Sequence, residues 1–118
     1  MLKYHLTSDK STVAELVDET YKIKDARDAL DLMVEACMNN CSSIIISEKN
    51  LEDSFFDLRN GLAGDILQKF SNYRVRLAIT GDFSKYRSKS LQDFIRECNN
   101  RKMILFTDSV DAALRHLL

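Results

Sequence analysis

No proline interrupts this chain of 118 residues, and no repeat or low-complexity segment punctuates it. Without such breaks there is no linker, and the length suits a single hydrophobic core. Cysteine is scarce and odd in number, at Cys37, Cys41 and Cys98. An odd count argues against a disulfide framework, and a Cys-x3-Cys pair without further Cys or His nearby is a poor zinc site. The two histidines, His5 and His116, stand near opposite termini with no ligand spacing around them, so no Ser-His-Asp or Cys-His arrangement is specified. No apolar run approaches the roughly 18 residues of a membrane span, and the opening MLKYHLTSDK lacks the apolar core of a signal peptide. The expectation is therefore a cytoplasmic protein, with no membrane partner. Charge of one sign is also missing: 17 basic and 18 acidic side chains leave a net charge of -1. No global field draws the molecule to nucleic acid.

Glycine is rare too, and all three lie within FFDLRNGLAGDILQKFSNYRVRLAITGDFSKY, residues 55–86. In that stretch Leu62, Ala63, Ile66, Leu67 and Phe70 recur at helical spacing, with Asp65, Gln68, Lys69 and Asn72 on the other face. Gly64 sits in the first turn, where glycine costs roughly 1 kcal/mol against alanine. Its presence suggests that another backbone or a ligand comes close on that face. The run Val75–Ile79 then reads as a buried strand ending in the loop Thr80-Gly81-Asp82.

Tyr4–Thr7 and Val13–Val17 are strand-like and flank the turn cluster Ser8-Asp9-Lys10-Ser11, which predicts a β-hairpin. Asp25 is a plausible N-cap for a helix whose stripe is Ala26, Ala29, Leu30, Met33, Val34 and Cys37, stopping at Asn39-Asn40. Ser43–Ser47 is β-branched and apolar on both faces, as in a central strand. The connection Glu48–Asn60 is long for a strand-to-helix loop, and long loops are often functional. After the strand Arg74–Thr80, Ser90-Leu91-Gln92-Asp93 resembles a capping box for a helix ending at Asn99-Asn100. Lys102–Thr107 is a further strand, and Asp108 or Ser109 caps a last helix. The order is a hairpin followed by αβαβαβα. Such alternation requires an α/β fold with a mixed, mostly parallel sheet and helices on both faces.

The segments FFDLRNGLAGDILQKFSNYRVRLAITGDFSKY and SKSLQDFIRECN resemble the bacterial family called domain of unknown function 4180, whose members carry a similar FDL, Gly-Leu-Ala-Gly helix and AI-x-GDF pattern. The likeness spans nearly the whole chain and brings no assigned activity. More distantly, the element order is similar to the STAS domains of anti-sigma-factor antagonists. Their Asp-Ser-Ser-Gly-Leu turn opens the second helix and carries a phosphorylated serine or threonine. The matching positions here are Leu58, Arg59, Asn60, Gly61 and Leu62, which keep the glycine and leucine but not the phospho-acceptor. The resemblance thus implies a STAS-like fold without that phosphorylation switch at this turn.

Ligands of open parallel sheets favour the crevice beyond the carboxyl ends of the strands. The turn from Asp57 to Gly61 offers free N–H groups, and Arg59 could clamp an anion there. The candidate binding residues are Asp57, Arg59, Asn60, Gly61, Gly64, Asp65 and Asp82. Their plainer role is that Asp57 pairs with Arg59 or caps the helix. An alternative is a metal-assisted enzyme on a phosphorylated small molecule, with Glu48, Asp82 and Asp108 holding Mg²⁺ and Lys89 reaching in. Against it, short acids commonly end strands and cap the following helix. Basic residues Lys69, Arg74, Arg76, Lys85, Arg87 and Lys89 do not make a nucleic-acid patch. Arg74 and Arg76 enter a strand that Lys85–Lys89 follow, and such a strand separates them by roughly 20 Å. The reading is a non-catalytic module that binds a protein or a small anionic ligand and needs no cofactor. A homodimer through the exposed hairpin edge is a further possibility.

Overall fold

The computed structural model describes residues 2–6 and 12–117, so the predicted turn at Ser8–Ser11 lies outside the described residues. The two flanking segments are strands, β1 (Leu2–Leu6) and β2 (Thr12–Leu16), paired antiparallel with Tyr4 opposite Ala14. There follow α1 (Ala26–Met38), β3 (Cys41–Ser47), three short 3₁₀ turns (Glu48–Asn50, Asp53–Phe56, Leu58–Asn60) and α2 (Leu62–Asn72). The chain then runs through β4 (Arg76–Thr80), α3 (Lys89–Arg101), β5 (Ile104–Thr107) and α4 (Val110–His116).

The sheet order is β1-β2-β3-β4-β5, and β2 to β5 are parallel. Each crossover moves one place in the same direction, so the right-handed rule puts α1, α2 and α3 on one face. Among the described residues only α4, which follows the last strand, reaches the other. Helices do occupy both faces, but three to one. Side-chain alternation along the strands matches this division. Ile44, Ile46, Leu77, Ile79, Ile104 and Phe106 join the core beneath α1–α3. Val13, Ile45, Ala78 and Leu105 join a smaller core with Ala113 and Leu117 of the α4 segment. Each fully buried Ile, Leu or Phe contributes about 1.5–3 kcal/mol of transfer free energy, so the larger core dominates.

Several boundaries differ from the sequence reading. In α1 the buried residues are Ala29, Leu32, Met33 and Ala36, while Val34 and Cys37 are exposed. Two alanines on the buried face let α1 lie close to the sheet and α2, and that contact sets the helix's rotation. Asp25 does cap α1, accepting from the Asp28 N–H at 3.0 Å. The cap of α3 is Ser88, not Ser90, and the helix runs past Asn99-Asn100 to end at Lys102 in a left-handed conformation. Asn99 stays in the helix because its amide serves the sheet edge. It accepts from the Phe106 N–H at 2.7 Å and donates to the Phe106 carbonyl at 3.4 Å. These groups face away from β4, so Asn99 blocks further strand pairing on β5. Arg76 likewise has a structural task, donating to the carbonyls of Lys102 (3.2 Å) and His116 (3.0 Å) just past the end of α3 and in the last turn of α4. No helix among the described residues is long and apolar enough to cross a membrane.

Candidate functional site

Because α2 runs antiparallel to the strands, its N-terminus returns to the rim where β3, β4 and β5 end. Two connections meet there: Glu48–Gly61, between β3 and α2, and Gly81–Ser88, between β4 and α3. Aromatic contacts tie them together. The Phe56 ring stacks on Tyr86 at 4.7 Å, and Phe83 meets Phe106 edge-on at 5.1 Å. Gln92 fixes the second connection from α3, donating to the carbonyls of Phe83 (2.9 Å) and Tyr86 (2.7 Å).

The long first connection is folded rather than loose. Asn50 is fully buried, accepts from the Ser47 N–H at 2.9 Å and donates to the carbonyls of Asp18 and Tyr21, each at 2.9 Å. It thereby pins the segment entering α1 to the end of β3, beside the parallel bridge Ile23–Leu51. Phe55 and Phe56 bury themselves under α2. Asp57 then accepts from the Arg59 N–H and holds the guanidinium in a two-pronged ion pair at 3.0 and 3.2 Å. These hydrogen bonds lower the Asp57 pKa and raise that of Arg59. Asn60 accepts from the Leu62 N–H at 2.8 Å and donates to the Ser54 carbonyl at 2.8 Å, so it starts α2. Gly61 follows in the left-handed region at φ 77°, where a side chain would strain the turn.

The predicted binding residues therefore do gather on one rim, with their hydrogen-bonding capacity largely committed. The side chain of Arg59 is nevertheless 91% exposed. It stands at the lip of a cleft of about 580 Å³ lined by Phe56, Asp57, Leu58, Arg59, Ser88 and Ser90. Asp65 is exposed in the first turn of α2. Gly64 departs from expectation: apart from its own turn of helix, no atom lies within 4 Å of where its Cβ would be. It borders a groove between α2 and α3, with Leu67, Phe94, Cys98 and Met103.

The acidic strand ends are also placed. The Glu48 carboxylate accepts from the Asp82 N–H at 3.1 Å and from the Tyr86 hydroxyl at 3.4 Å, and pairs with Lys85 Nζ at 2.9 Å. Lys85, rather than Lys89, is the cation that reaches it, and this contact raises the Lys85 pKa. Burial, then the nearby Glu48, raises that of Tyr86. Asp82 turns away to accept from the Ser84 N–H and hydroxyl, bonds that lower its pKa. Asp82 and Asp108 border one cleft with Phe83, Ile95 and Phe106. Glu48 does not line it, and among the described residues no three His, Cys, Asp or Glu side chains are grouped to hold a metal ion. The donor arrangement thus does not fit the predicted Mg²⁺ site. The sequence reading gave no role to Asn50, took Lys85 as one of a set of solvated basic residues rather than the partner of Glu48, and did not foresee the Phe56–Tyr86 pair. The doublet Phe55-Phe56 was the available signal, since a polar surface loop has no use for two adjacent phenylalanines.

A five-stranded mixed sheet carrying three helices on one face and one on the other, with its polar loops collected on one rim, defines the class as a small α/β domain. The chain belongs to the family described as Domain of unknown function (DUF4180), whose model matches residues 8–117. No curated protein and no solved structure matches it significantly.

Proposed function

We propose that this chain is a STAS-like, non-catalytic binding or regulatory module of the cytoplasm, and that its contact surface is the rim from Asp57 to Asp65 with the adjoining Asp82 loop. The exposed Arg59 guanidinium carries this reading. Its ion pair with Asp57 fixes its direction over the cleft without burying it, and outward-facing N–H groups stay free for a carboxylate or phosphate. The partner is a protein or a small ligand that presents an anionic group at that lip. Hydroxyl-bearing Ser88 and Ser90 on the opposite wall suit the same chemistry.

The test uses Arg59→Ala and Asp65→Lys, because Asn60→Ala would also loosen the start of α2. Partners are captured on immobilised protein, and each is then titrated against wild type and both variants. Loss of at least tenfold in affinity with Arg59→Ala is expected, since a charge-assisted pair contributes about 1.5–3 kcal/mol. Partners that bind all three proteins equally would remove this surface from consideration. Glu48 and Asp82 are already engaged by the chain's own donors, which disfavours a metal-assisted role for them.

A further inference from the structure

The Glu48 side chain lies across Gly81, and a Cβ at that position would stand 2.7 Å from both Glu48 Cγ and Cδ. A missing side chain is therefore what admits the carboxylate to the end of β4. Once there, it meets three donors from the next eight residues of the chain: the Asp82 N–H (3.1 Å), Lys85 Nζ (2.9 Å) and the Tyr86 hydroxyl (3.4 Å). Lys85 also stands over the Tyr86 ring, 5.4 Å from its centre, while Tyr86 is braced from behind by Phe56. The one acid inside this loop, Asp82, has its own carboxylate turned to Ser84. Gln92, Phe56 and the Lys85–Tyr86 contact thus help to hold the donors in place alongside Glu48 itself. Backbone N–H, ammonium and phenol directed at two oxygens is the donor set that binds a carboxylate. The side chain of Glu48 is 14% exposed and that of Lys85 is 54% exposed, so solvent reaches the pair.

We propose that Asp82 N–H, Lys85 and Tyr86 form a carboxylate-binding cradle at the rim, occupied by the chain's own Glu48 and open to exchange with the carboxylate of an external ligand. The occupant is tethered, and a tethered group whose linker matches the span competes at a high effective concentration, here on the order of 100 mM. An external carboxylate enters when it brings additional contacts or high concentration. Glu48 is joined to the turn that Asn50 anchors, so its departure would free one tie between the two rim connections. This site is distinct from the Arg59 lip, and it stands or falls separately.

Acetate is a sufficient probe, followed through the amide resonances of Gly81 and Asp82 at constant ionic strength and pH 7. In Glu48→Ala both should shift and saturate with a dissociation constant on the order of 10 mM. In wild type the same shift should need about tenfold more acetate, the excess set by the tethered competitor. Glu48→Gln, which keeps the shape but not the charge, should fall between them and covers the case that the alanine variant folds poorly. Adding Lys85→Met to Glu48→Ala should abolish saturation, whereas adding Arg59→Ala should leave it unchanged. The proposal is overturned if neither Glu48 variant saturates by 100 mM acetate, if wild type never shows the shift, or if binding survives Lys85→Met.

Discussion

The two connections that meet at the rim are built on different principles. The longer, from β3 to α2, is held by backbone-directed caps spaced along it: Asn50, Asp57 and Asn60 each satisfy main-chain groups close by or on the adjacent segment. The shorter, from β4 to α3, is held largely from outside, by the Glu48 carboxylate, the Gln92 amide and the Phe56 ring. Length alone thus misleads. The longer connection is itself a piece of the core, with Leu51, Phe55 and Phe56 buried, and the shorter one is held by side chains of neighbouring elements.

If that contrast is right, the largest loss comes from the most internal cap. Asn50→Ala removes a fully buried amide and leaves the Ser47 N–H and two carbonyls without that partner in a partly buried place. Each such group costs about 1–3 kcal/mol, so a loss of 3 kcal/mol or more is expected in urea unfolding. Asn60→Ala, at the exposed end of the same connection, should cost only about 1 kcal/mol. Equal losses at the two positions would show that the long connection has no buried anchor.

The second connection is tested at Gly81. Gly81→Ala should cost about 1–3 kcal/mol by forcing Glu48 off its seat, and the Lys85 pKa should fall back toward that of a free lysine. In a Glu48→Ala background most of this cost should vanish, because the colliding atoms are gone. A penalty that persists in the double variant would mean that backbone strain, not the crossing carboxylate, requires glycine there.

The other two glycines sharpen the comparison by opposite signs. Gly64 has open space around its Cβ position, so Gly64→Ala should stabilise the protein by about 0.5–1 kcal/mol. Gly61, at φ 77°, should instead lose about 1 kcal/mol on replacement by alanine. Thermal unfolding of the pair reads both.

What could be read from the residues follows from the range of the interactions involved. The strand and helix order was legible because alternation and helical spacing are local, and Gly81 at the end of Val75–Ile79 marked the rim. The gathering of Asp57–Gly61 beside Asp82 followed from α2 running antiparallel to β4. The rotation of α1 was not legible: its apolar residues Leu30, Val34 and Cys37 fit a stripe as well as Leu32 and Ala36 do, and only the neighbouring α2 chooses between them. Asn50 was equally hidden, since its partners Asp18 and Tyr21 are about thirty residues away. The same holds for Glu48 and Lys85, whose pairing depends on two strand ends lying side by side.

The smallest effect separates the Asp57–Arg59 pair from the rest of its connection. Hydrogen bonds from Arg59 hold the Asp57 carboxyl below its ordinary value. A group depressed on folding contributes stability that is full above its unfolded pKa, about 4, and is lost as the pH falls through the lower folded value. Stability should therefore decline on acidification below about pH 4, and Asp57→Asn should flatten part of that decline while leaving stability at pH 7 little changed, because both partners are exposed. Asp82, depressed in the same direction by Ser84, supplies the matched control in the other connection. Asp82→Asn should remove a similar acid slope and lower a partner's affinity less than Asp57→Asn, which frees the Arg59 guanidinium from its fixed direction. If the two variants affect binding alike, Asp57 does not orient Arg59, and the contact surface extends over both connections equally.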